Sequence, residues 1–164
     1  MRIAVGSDER HAPLRANLVE LLDRLGQEVV EISGEADQED TGPDCPPTDV
    51  AEQVAQLVGN QEVERGILVC GSDLGGCIVA NKIPGVRAAP CHDDLTAELS
   101  RRHNDLNVLC LCGDMHAEKL IDRLVEIWLT TPFEAGRHAR RLRKVTAFEQ
   151  RREQPADQAT SPAS

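Results

Sequence analysis

Arg65-Gly66-Ile67-Leu68-Val69-Cys70-Gly71-Ser72-Asp73-Leu74-Gly75-Gly76 is the stretch on which the fold turns. An apolar run passes without a polar break into glycines, as a strand covered on both faces does when it ends in a tight turn. Working outward, similar runs predict strands at Arg2 to Ser7, Glu28 to Ile32, Val86 to Pro90 and Val108 to Cys112. Helical spacing lies between them. Leu14, Leu18, Leu21, Leu22 and Leu25 recur on one helix face, with Pro13 in its first turn and Gly26 as its stop. Thr48 is a predicted N-cap for a helix that turns Val50, Val54, Leu57 and Val58 inward. Asp93 or Asp94 caps a helix running to Arg102, Ala117 to Leu129 forms another, and one starting near Cys77 is expected after the glycine loop. Such alternation builds an α/β domain: a three-layer, doubly wound, Rossmann-like sheet of five parallel strands, expected in the order 2-1-3-4-5. Ligands of these sheets sit at the carboxyl ends of the strands flanking the order reversal, here the first and third. The loops after those strands are Asp8-Glu9-Arg10-His11 and Gly71 to Gly76.

The 164 residues suffice for one core. A single domain over residues 1–154 is expected, with an acidic, turn-rich loop from Ser33 to Pro47 and a disordered Pro/Ala/Ser tail at 155–164. No apolar run approaches a membrane span, and Met1 leads straight into a strand pattern with no secretory signal, so a cytoplasmic location is expected. Asp and Glu number 28 against 18 Lys and Arg, a net charge of −10, whose field repels nucleic acid and anionic membranes; neither is an expected partner. Phe133, Phe148 and Trp128 are too few aromatics for a base-stacking platform. Cys45, Cys70, Cys77, Cys91, Cys110 and Cys112 lack paired metal spacing and read as reduced thiols, and neither metal nor cofactor is expected.

The chemistry-bearing residues gather at the predicted strand ends. A thiol at Cys70 can serve as base or nucleophile, and the following glycines let backbone amides approach an anion or developing oxyanion. A buried structural cysteine before a tight turn is the plain alternative. The loop is neither a phosphate-binding P-loop, since no Gly-Lys-Ser/Thr follows, nor a dinucleotide fingerprint. Asp8 fits either a helix N-cap or a site residue at the end of the first strand, and His103 either a favourable charge at a helix end or a site residue. His92 and His116 read as surface residues. Arg137 and Arg141, four apart on a basic segment, make an anion clamp that the acidic chain otherwise lacks.

Together these segments resemble the ribose-5-phosphate isomerase B family, which includes the galactose-6-phosphate isomerase subunits. The resemblance rests on Gly6-Ser7-Asp8 with Leu14-Arg15, on Cys70-Gly71-Ser72 with Gly75, and on Ala80-Asn81-Lys82-Ile83-Pro84-Gly85-Val86-Arg87-Ala88. Leu99 to Asp105, which contains His103-Asn104, and Gly136-Arg137-His138 with Arg141 complete it. It implies a metal-free aldose–ketose isomerase of a phosphorylated sugar, ribose 5-phosphate and ribulose 5-phosphate foremost, acting through an enediolate. It implies a homodimer or dimer of dimers whose sites draw on both subunits. By the same resemblance Cys70 moves the proton between C1 and C2, Ser72 hydrogen-bonds near it, and the amides from Gly71 to Gly76, Gly75 included, stabilise the enediolate. His103 and Asp8 assist ring opening, Asn104 orients hydroxyls, and Arg137 and Arg141 hold the phosphate. The chain departs from the family at Glu9 (usually His), at Cys45 (usually aromatic) and at Asp114 (often Arg). Two of these departures put a carboxylate where a phosphate is expected, and His11 lies two residues beyond Glu9.

A competing reading is a catalytically silent sugar- or nucleotide-binding module on the same scaffold, since fold does not fix function. Retention of Cys70, His103 and Asn104 favours the enzyme, because a binder needs no base. A thiol redox protein is disfavoured by the absence of Cys-x-x-Cys.

Overall fold

The strands β1 (Arg2–Ser7), β2 (Glu28–Ser33), β3 (Arg65–Cys70), β4 (Ala88–Pro90) and β5 (Val108–Cys112) are all parallel in one sheet, ordered β2-β1-β3-β5-β4. The computed structural model describes residues 1–33 and 48–153; residues 34–47, with Cys45 and most of the acidic loop, and the 155–164 tail lie outside the described residues. The helices are α1 (Ala12–Arg24), α2 (Thr48–Gly59), α3 (Leu74–Ala80), α4 (Asp94–Asn104), α5 (Glu118–Thr130) and α6 (Arg137–Glu153). Met1–Glu134 forms one compact unit that carries the sheet and the first five helices; the chain from Ala135 onward, with α6, forms a second.

Period-two alternation sorts the strand residues into two cores. Ile3, Val5, Ile67, Val69, Leu109 and Leu111 face Leu18, Leu22, Ile121, Leu124 and Trp128 of α1 and α5. Ala4, Leu68, Val108 and Cys110 face Val50, Val54 and Val58 of α2 and Ala80 of α3. Covering both faces makes β3 and β5 almost wholly buried, which explains why they read as unbroken apolar runs. Each fully buried Leu or Ile contributes about 1.5–3 kcal/mol of transfer free energy. At Gly6 an added Cβ would lie 2.7 Å from both Val50 and Val54, so the glycine sets how closely α2 approaches β1.

The expected order 2-1-3-4-5 is corrected in its last two strands. β4 is only three residues long, starting at Ala88 rather than Val86, and it ends in Pro90, which has no amide to donate; such a strand suits an edge. Its start is delayed because Asn107 Oδ1 takes the Arg87 amide at 2.7 Å, after a turn in which Gly85 has φ +79°. The five buried residues of β5 suit the interior position instead. The order reversal between β1 and β3 stands, and the exchange brings the end of β5 beside Cys70, with Cys70 in register with Cys112. The helix expected near Cys77 begins at Leu74, because Asp73 takes a left-handed conformation (φ 58°, ψ −5°) that turns the chain immediately after the strand.

Candidate active site

Cys70 is the last residue of β3 and is 1% exposed. The backbone amides of Gly76 and Asp73 donate toward its sulfur, which favours the thiolate. Burial, and then the charge of Asp73, outweigh them and push the thiol up to about 12. The loop is fastened from the next strand, since Cys112 Sγ donates to Gly71 O at 2.7 Å and the Gly113 amide donates to Cys70 O at 2.8 Å. Ser72 is exposed on this loop and Asp73 is completely buried.

Across the reversal, β1 ends at Ser7, whose hydroxyl accepts from Arg15 Nη1 at 2.7 Å; Arg15 in turn pairs with Glu31 at 2.8 Å. Asp8 caps the short 3₁₀ turn Glu9–His11 by accepting the His11 amide, and its Oδ1 lies 2.6 Å from His11 Nδ1. The other ring nitrogen, Nε2, lies 3.1 Å from Asp114 Oδ1. Asp114 also pairs with Arg10. Burial raises the Asp114 carboxyl, but the His11 hydrogen bond and the charges of Arg10 and His11 outweigh it and leave the group below the usual carboxylate range. The ends of β1, β3 and β5 therefore carry a thiol facing amide donors and, beside it, a His–carboxylate–Arg network. That is equipment for moving a proton next to a stabilised oxyanion.

Ribose/Galactose Isomerase is the family whose sequence pattern matches this chain, over residues 3–145. The chain belongs to the ribose/galactose isomerase family. It is 40% identical over 151 residues to ribose-5-phosphate isomerase B of Escherichia coli, covering 92% of this chain and 98% of that protein. It is 33% identical over 149 residues to the D-erythrulose-4-phosphate isomerase of Pectobacterium atrosepticum, covering 91% and 95%. The structure of Clostridium thermocellum ribose-5-phosphate isomerase B superposes with a TM-score of 0.83 at 36% identity, covering 93% of this chain and 100% of that one. The expectations of an isomerase and of an all-parallel α/β sheet stand on these likenesses.

As a member of the ribose/galactose isomerase family, the chain brings Cys70, Gly71, Ser72, Gly75 and Gly76 together along the end of β3, the turn after it and the first residues of α3, close to Asp8. It does not bring His103 and Asn104 to them. Arg87, just before β4, donates to Asn104 O at 3.2 Å, so the end of α4 lies at the amino edge of the sheet. Cys70 lies at the carboxyl edge, about a five-residue strand or roughly 16 Å away. His103 Nε2 lies 3.6 Å from Glu134 Oε2. Arg137 and Arg141 are on α6 in the second unit, where Arg137 Nε donates to His138 Nε2 at 3.2 Å. Sequence pattern alone assigned no role to the side chains of Arg10 or Asp73 and marked His11 only as lying two residues beyond Glu9. The spacing of His11 three residues after Asp8 was the available signal; the Asp114 contact, 103 residues away, left none.

Among the described residues no helix is long and apolar enough to cross a membrane.

Proposed function

We propose that this isomerase interconverts an aldose phosphate and its ketose phosphate, ribose 5-phosphate and ribulose 5-phosphate first among them, through an enediolate. The observation that carries the reading is Cys70 at the end of β3 with the Gly76 and Asp73 amides directed at its sulfur. Cys70 carries the proton between C1 and C2, the amides from Gly71 to Gly76 stabilise the enediolate oxygen, and Ser72 hydrogen-bonds beside them. Asp8, with His103, assists ring opening; Asn104 orients hydroxyls; Arg137 and Arg141 take the phosphate. A relative named for a tetrulose phosphate supports testing shorter sugars as well.

His103 and Asn104 lie at the sheet edge opposite Cys70. A complete site therefore calls for these residues from a second copy, and we assign the chain a homodimeric or dimer-of-dimers state. Exposed Leu74 and Ile78, one turn apart on α3 at 56% and 61% exposure, support such an apolar contact. The five described cysteines are free, which supports a reducing, cytoplasmic location.

The test is an isomerisation assay over tetrose, pentose and hexose phosphates together with the free sugars. Turnover of a pentose phosphate is expected, and Cys70→Ala should lower it by at least about 10² with the fold intact. Silence on every phosphorylated sugar, with binding retained, would favour the catalytically inert module instead.

A further inference from the structure

We propose that Asp73 and His92 form a relay that carries the Cys70 proton between the buried thiol and solvent. The proposal rests on the reading of Cys70 as proton carrier and adds to it the route by which that proton exchanges.

Cys70 is 1% exposed and rests as a thiol, so its proton needs a path outward. Asp73 follows it by three residues. Its backbone amide faces the Cys70 sulfur, its carboxylate charge is felt by that thiol, and its side chain is 0% exposed. Neither carboxylate oxygen has a hydrogen-bond partner among the described residues. The residue stands at the N-cap position of α3 yet makes no capping bond, and it holds a left-handed conformation that few side chains accept. A fully buried carboxylate in a left-handed turn, with no hydrogen bond to either oxygen among the described residues, needs an explanation beyond packing.

The groups around it decide what it does. The thiols of Cys70, Cys77, Cys91 and Cys110 all feel the Asp73 charge. Cys91 and Cys110 are as buried as Cys70, and the half-buried Cys77 thiol is engaged with Ala88 O at 3.5 Å and Asn81 Nδ2 at 3.5 Å. His92 opens to water. Its Nδ1 lies 3.5 Å from Asp73 Oδ2, and its side chain is 50% exposed. A shift of about half an ångström brings that pair to hydrogen-bond distance. Burial raises the Asp73 carboxyl, with His92 opposing, which suits a group that accepts and releases a proton in turn. His92 packs edge-on against His116, with ring centroids 5.3 Å apart, and this contact holds the exit imidazole in place.

The transfers balance without an added reagent. The Cys70 S–H bond breaks, its electron pair stays on sulfur, and the proton forms an O–H bond on Asp73. Asp73 passes a proton to the unprotonated His92 nitrogen, and the imidazolium gives one to water. The reverse sequence returns a solvent proton to sulfur.

The experiment runs the isomerisation in ²H₂O and measures, for each turnover, how much product carries solvent deuterium at the carbon that receives the proton. This ratio of exchange to direct transfer is insensitive to how much enzyme is folded, and a variant that merely slowed transfer to carbon would raise the exchanged share rather than lower it. Asp73→Asn tolerates the left-handed backbone, and His92→Phe keeps the ring contact with His116. Each should cut the exchanged share to roughly half of the wild-type value or less. If Asp73→Asn does not fold or turn over, His92→Phe decides alone. An unchanged ratio in His92→Phe, or a wild-type product free of solvent deuterium, overturns the relay while leaving the isomerase intact. A wild-type protein that isomerises no phosphosugar overturns the isomerase reading and the relay with it.

Discussion

Gly113 lies directly against the imidazole of His11: a Cβ on Gly113 would come within 2.3 Å of His11 Cδ2 and 2.6 Å of Nε2. The residue after β5 must therefore be glycine for His11 to stand between Asp8 and Asp114. Gly113→Ala has to displace the ring from both carboxylates. The expected cost is about 1–3 kcal/mol in urea unfolding, typical of overpacking, together with lower turnover. Unchanged stability and rate would show that the ring is free to move aside.

Cys70 makes stability depend on alkaline pH. Folding pushes its thiol up to about 12, whereas an unfolded thiol titrates near about 8.5. Between those values the native state binds the extra proton, so its contribution is full below about pH 8.5 and falls by up to about 1.4 kcal/mol per pH unit above it. Cys91, pushed up to about 11 chiefly by burial, acts in the same direction. Cys70→Ala should flatten the decline of unfolding free energy between pH 9 and pH 10.5, measured by urea titration at each pH. An equal slope in the variant would place the titration elsewhere.

A site shared between copies predicts complementation. Cys70→Ala and the double variant Arg137→Ala/Arg141→Ala should each be inactive alone. Mixed under conditions that exchange subunits, they should regain part of the wild-type rate, because one site in the heterodimer receives an intact thiol and intact arginines. Verified exchange without recovered activity would assign all these residues to one protomer's site.

Asp114 places a negative charge beside His11 and Arg10, and a substrate phosphate bound near that ring would meet it. Its carboxylate engages Arg10, so Asp114→Asn releases that guanidinium while keeping the side chain's size. The Michaelis constant for phosphorylated substrates should fall, and fall further at low ionic strength, where screening over about 10 Å is relieved. Both side chains are nearly half exposed, so solvent moderates the effect. If KM is the same at both ionic strengths, the substrate does not sense this charge.

The sheet was legible because β1, β3 and β5 read as unbroken apolar runs separated by helical spacing, the pattern of strands covered on both faces; the sorting of their residues into two cores emerges only from the structure. The order of β4 and β5 was not, since chain order carries no statement of which strand is flanked on both sides; Pro90 was the one local hint. The start of α3 was hidden by Gly75 and Gly76, which read as loop although they lie inside the helix. The Cys70 loop could be recognised from contiguous residues. By contrast, the network around His11 closes across 103 residues, and the relay through Asp73 depends on burial that a Gly-rich turn disguises.

The two rims of the sheet constrain how copies of this chain meet. On one side β4 is three residues long and ends in Pro90; on the other β2 exposes Glu28 and places a charge at Glu31. Neither rim offers the long, flat, neutral ladder that another strand needs for pairing. Sheets of neighbouring molecules are thus kept from fusing edge to edge. Any assembly of copies would then run through helix surfaces rather than through a continued sheet, without the open-ended stacking that strand pairing permits.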